Sequence, residues 1–188
     1  MNLSPYAFHF AYSFFSKRGS AQISPAIFHL YFSIKLGLHQ QWGLNMEPQI
    51  TTELENRILE MLLAGDDSFL GALRSQLDCA SIEKREFTGH GFFTHFQVPD
   101  HVPRLPNNKQ FVIGDVHGEL SGVLCGFLLF VTNGVVNFLE GFVYGDDQWP
   151  NAFTSQRLYY MRHSAPGGPS LVETDVRDST ALWATLHA

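Results

Sequence analysis

Apolar positions recur with a helical period in one stretch of this chain and with a period of two in most of the rest. Leu54, Ile58, Met61 and Leu62 form one helical face. That helix opens on the capping-box pattern Thr52-Glu53-Leu54-Glu55 and stops at Gly65. Asp66-Asp67-Ser68 can cap a second, short helix carrying Phe69, Leu70, Leu73 and Leu77. Alternation then predicts strands near Ile82–Phe87 and Gly91–Val98. On the second of these, Phe92, Thr94, Phe96 and Val98 share one face, with Phe93, His95 and Gln97 on the other. Residues 99–108 hold three prolines and read as a loop.

The sharpest local signal is Asn133-Gly134 between two apolar, β-branched runs, a two-residue hairpin turn of type I′. A turn near Glu119–Gly122 precedes it, and the first strand runs from Leu124 to Thr132. Phe127-Leu128-Leu129-Phe130-Val131 is apolar on both faces, so that strand belongs in the centre of a sheet covered on both sides. A regular register sets Thr132 against Val135, Phe130 against Asn137, Leu128 against Leu139 and Gly126 against Gly141. The paired glycines would leave a gap. It also puts Val136, Phe138, Glu140, Phe142 and Tyr144 on one face. There Glu140 reads as a carboxylate near the sheet edge, reaching water or an arginine, with a ligand-binding role as the alternative. Gln156–Arg162 reads as a further strand. Pro166-Gly167-Gly168-Pro169 interrupts the chain, and Asp178 or Ser179 caps a last helix bearing Leu182, Trp183 and Leu186. The fold class expected is α+β: an antiparallel sheet with two N-terminal helices and a short C-terminal helix.

Composition divides the chain near residue 46. Residues 1–45 contain no Asp or Glu, three basic residues and ten aromatics, whereas all eighteen acids follow Met46. No run of about 20 apolar residues is present to span a membrane. The first 45 residues also lack the basic start and compact apolar core of a targeting peptide. The expectation is an atypical extension over 1–45, dispensable for folding and with Met46 the natural start, followed by one α+β domain over 46–188. A hydrophobic content of 45% with 16% charged residues argues against disorder. A net charge of −6 argues against nonspecific nucleic-acid binding. Cys79 and Cys125 are isolated and read as reduced, partly buried thiols of a cytoplasmic protein, with a structural disulfide as the alternative.

Candidate chemistry centres on Phe111-Val112-Ile113-Gly114-Asp115-Val116-His117-Gly118. An apolar strand running into Gly-Asp-X-His-Gly resembles the first metal-binding motif of the calcineurin-like metallophosphoesterases. The resemblance implies Asp115 and His117 as ligands of a divalent metal, with Asp146 of Gly145-Asp146-Asp147 as a faint second segment. The residue set is short of what a two-metal centre needs. No Asn precedes a His, only His163 and His187 lie downstream, and 70 residues remain after Gly118. The plainer reading of Asp115–Gly118 is a strand ending in a polar turn, with Asp115 capping its own backbone. His90 and His95, five apart on a strand, point to opposite faces and make a poor metal pair.

A second resemblance covers about residues 80–150. It rests on Arg85-Glu86-Phe87-Thr88-Gly89-His90-Gly91-Phe92-Phe93-Thr94, Gly114-Asp115-Val116, Gly126-Phe127-Leu128-Leu129-Phe130-Val131 and the run from Phe138 to Pro150. In order and spacing these resemble a family of small bacterial proteins with no assigned reaction. That implies a compact antiparallel domain and no mechanism. Where such proteins have Gly-Ala-Gly, this chain has Leu124-Cys125-Gly126. No phosphate loop, nucleophile elbow or zinc spacing is present. The function expected is therefore non-catalytic, through contact with a protein or a small ligand. No cofactor, nucleic acid or membrane is expected to take part. The alternative is a degenerate metal-dependent phosphoesterase using Asp115 and His117.

Overall fold

The computed structural model describes residues 52–162 and 172–187. The chain divides into two units between Glu47 and Pro48, and every described residue lies in the second. The expected extension over 1–45 and the Pro166–Pro169 break lie outside the described residues.

Helix α1, Thr52–Leu62, buries Leu54, Ile58 and Leu62 along one stripe. Gly65, at φ 120°, turns the chain out of it. Helix α2, Ser68–Cys79, is capped by Asp67, whose carboxylate accepts the Phe69 N–H at 2.8 Å. Strands β1 (Ser81–Phe87), β2 (Gly91–Gln97), β3 (Phe111–Leu120), β4 (Val123–Thr132), β5 (Val135–Val143), β6 (Gln156–Arg162) and β7 (Val172–Thr174) follow, with a 3-10 turn at Pro106–Asn108. Helix α3, Ser179–Leu186, is capped by Asp178. The strands form one antiparallel sheet in the order β1-β2-β5-β4-β3-β6-β7. The α+β class and the antiparallel sheet expected from the sequence are the observed ones. Among the described residues, no helix is long and apolar enough to cross a membrane.

Strand β4 is central, and Phe127 through Val131 are all buried. The hydrophobic core joins the helix side chains Leu54, Ile58, Leu62, Leu70, Leu73 and Leu186 to Phe127, Leu129, Leu139 and their neighbours on one face of the sheet. The other face carries Phe93, His95, Leu128, Phe130, Phe138 and Glu140, all of them buried.

The turn at Asn133-Gly134 has positive φ at both residues, 54° and 74°, as a type I′ turn requires, and Thr132 pairs with Val135. The regular register predicted beyond it is wrong. A bulge at Asn137 shifts the ladder by one, so Phe130 pairs with Phe138, Leu128 with Glu140, Gly126 with Phe142 and Phe127 with Gly141. The bulge returns Val136 to the helix side and leaves Phe138 and Glu140 on the opposite face. Gly126 and Gly141 therefore face aromatic rings rather than each other. A Cβ on Gly141 would come 2.1 Å from the Phe92 ring, and one on Gly126 would come 2.4 Å from Phe142. Nor is Glu140 near a sheet edge. It is 2% exposed on β5, between β2 and β4.

Two further expectations change. Strand β3 does not end at Asp115 but runs to Leu120, and the turn is Ser121-Gly122, with φ 52° and 83°. The capping-box glutamate Glu55 turns away from its own helix end. It accepts Arg85 Nε at 3.1 Å and the Thr94 hydroxyl, tying α1 to β1 and β2.

Candidate functional site

Two residues of the metal-like motif sit on β3, in the same strand but with different partners. A bulge falls between Ile113 and Val116 where β3 meets β4, so the residues of Gly114-Asp115 do not alternate as a regular strand would. Asp115 meets the Arg177 guanidinium, accepting Nε at 2.6 Å on Oδ2 and Nη2 at 2.7 Å on Oδ1. This is the bidentate geometry a planar guanidinium favours. Arg177, 8% exposed in its side chain, also donates Nη1 to the Ala64 carbonyl at 2.7 Å and Nη2 to the Leu62 carbonyl at 2.8 Å.

The end of α1 explains why such an arginine is needed. The last carbonyls of a helix lack intrahelical donors and carry the negative end of its dipole. Arg177 serves Leu62 at that end and Ala64 just beyond it, Tyr160 donates its hydroxyl to the Met61 carbonyl at 3.1 Å, and Arg74 donates to the Leu63 and Gly65 carbonyls that follow. The Arg177 guanidinium also lies 5.5 Å from the centre of the Tyr160 ring. Asp115 is thus the counter-ion of an arginine that fastens the segment before α3 to the end of α1.

His117, two residues on, turns to aromatic partners. Its Nδ1 lies 2.6 Å from the Tyr144 hydroxyl. The imidazole is near-parallel to the Tyr144 and Tyr159 rings at 5.9 and 6.4 Å. Burial raises the Tyr159 phenol above its ordinary pKa, so it stays protonated at neutral pH. Asp146 is exposed in the turn after β5. Of the two downstream histidines, His163 lies outside the described residues. His187 Nε2 is 2.7 Å from Asp67 Oδ2, with its ring between Phe69 and Trp183. His90 precedes β2, and its Nδ1 lies 2.8 Å from the Asp147 carbonyl oxygen. Among the described residues, no group of three or more His, Cys, Asp or Glu side chains is placed to hold a metal ion.

Cys125 is buried and its thiol is pushed up to about 12 by desolvation, which keeps it un-ionised and a poor nucleophile. Cys79 is an exposed free thiol.

A cleft of about 320 Å³ opens where β2 and β5 part. The β2–β5 ladder ends at His95–Phe138, although β2 runs on to Gln97 and β5 begins at Val135. Gln76, fully buried on α2, accounts for the parting. It accepts the Val136 N–H at 2.9 Å and donates to the Pro103 and Gly134 carbonyls at 3.0 Å each, drawing the start of β5 toward the helix. Phe96, Val98, Val135 and Val136 give the cleft apolar walls; Glu83, Gln97, Arg104, Thr132, Asn133 and Asn137 give it polar groups.

Sequence patterning missed Arg177, Gln76 and the Glu55–Arg85–Thr94 cluster, because each acts on groups 27 to 115 residues away. The one local hint was Glu55, a carboxylate next to Leu54 and three residues before Ile58 on a helix whose core stripe it borders. No protein-family model, curated protein or solved structure matches this chain.

Proposed function

We propose that this protein acts by binding, through a protein or small-ligand contact, and does not catalyse phosphoester hydrolysis. The observation that carries this reading is the engagement of Asp115. A metal-bridging carboxylate needs its oxygens directed at the ion. Both oxygens of Asp115 are held by Arg177, and releasing them would strand a buried guanidinium. The strand that continues through His117, and the strand β4 that follows, support the same reading. A phosphoesterase motif would place a loop and a helix there. Two free cysteines suit a reducing, cytoplasmic setting.

The test is metal analysis of the purified full chain, with phosphatase assays in added manganese. The expected result is metal well below one ion per chain and no turnover. About two ions per chain, with activity lost in both Asp115→Asn and His117→Asn, would overturn the proposal. His117→Asn guards against misreading an Asp115 variant that simply fails to fold.

A further inference from the structure

We propose that the cleft between β2 and β5 is a binding site for a small zwitterion of the amino-acid class. The inference rests on the binding reading above. Two bulges converge on this cleft. In β1 the extra residue is Glu83, set between the pairs Ile82–Phe96 and Lys84–His95. In β5 it is Asn137, set between Phe130–Phe138 and Val131–Val136. Bulges re-aim single side chains and concentrate beside functional sites. Here both bulged residues line one cavity, at the end of the sheet where the ladder between their neighbours has already stopped.

The lining specifies the chemistry. Glu83 supplies a carboxylate for an ammonium group, and Arg104 a guanidinium for a carboxylate. Arg104 also lies 3.2 Å from the fully exposed Asp100, an ion pair that an incoming carboxylate can replace at little cost. The amides of Gln97, Asn133 and Asn137 and the hydroxyl of Thr132 offer both donors and acceptors, while Phe96, Val98 and Val135 suit a small apolar side chain. A volume of about 320 Å³ sits at the lower bound of small-molecule sites, which suits a ligand of amino-acid size.

The experiment titrates the full chain by calorimetry with each standard L-amino acid at millimolar concentration. At least one should bind saturably. Arg104→Gln and Glu83→Gln should each weaken that binding about tenfold or more, since each removes a charge-assisted contact. Both side chains are exposed, so unchanged unfolding midpoints will confirm that the variants fold. Absence of saturable binding by every amino acid overturns the proposal, as does binding that both variants leave unchanged. Mass analysis of the bound amino acid after incubation separates the two readings. If it is consumed, the non-catalytic reading fails and this site stands.

Discussion

At the scale of single residues, side chains that look chemical are committed to holding the fold. Asp115 neutralises Arg177, Glu55 neutralises Arg85, and Asp67 caps α2 while meeting His187. His95 behaves differently. Its Nε2 is buried without a hydrogen bond, and the nearest carboxylate, Glu86, is 3.9 Å away. Desolvation, with Lys84 nearby, lowers its pKa below the ordinary 6.5, against the opposing pull of Glu86 and Glu83. The folded state therefore binds fewer protons than the unfolded state once pH falls below about 6.5. Stability should fall as pH drops from 7 through that range. His95→Phe, set beside Phe93 and Phe138, should flatten this part of the profile in denaturant melts at stepped pH. A profile equally steep in the variant would show that another group titrates.

At the scale of elements, the hairpin β4–β5 organises the sheet. Gly134 has φ 74°, and a Cβ there would come 2.5 Å from the Leu105 carbonyl oxygen, whose own N–H donates to the Gly134 carbonyl. Gly134→Val should therefore cost at least about 2 kcal/mol, from backbone strain and a clash that has no easy relief. Phe130, 8% exposed and stacked on Phe138 at 4.2 Å, should cost about 3–5 kcal/mol as Phe130→Ala. Urea melts of both variants check these values, and losses under about 0.5 kcal/mol, the ordinary surface range, would contradict them. The turn was legible because Asn-Gly between apolar runs is a local signal. The bulge at Asn137 was not. Its cause is Gln76, 61 residues upstream, which takes the Val136 N–H. No pattern within the strand records that bond, so regular alternation puts Val136 on the same face as Phe138 and Glu140, whereas it packs on the helix side.

At the scale of the whole molecule, the fold class was legible because each strand and helix carries its own period. Strand order was not, since it depends on pairings between distant segments. The metal-like motif shows the same division. Read locally, Gly114 to Gly118 resembles a ligand loop; placed in the sheet, it is an interior strand with a bulge. What converts Asp115 from candidate ligand to structural counter-ion is Arg177, 62 residues later, which joins the C-terminal segment to the end of α1. A double-mutant cycle in unfolding free energy tests that pairing. Asp115→Asn, Arg177→Gln and the double variant are compared with the parent chain. Asp115→Asn alone should cost about 3 kcal/mol, because it leaves a buried guanidinium without its anion. The two sites should couple by about 1–3 kcal/mol, the double variant losing much less than the sum of the singles. Additive losses, with coupling inside about 0.5 kcal/mol, would mean that Asp115 is not bound to Arg177 and that its carboxylate is available for other chemistry.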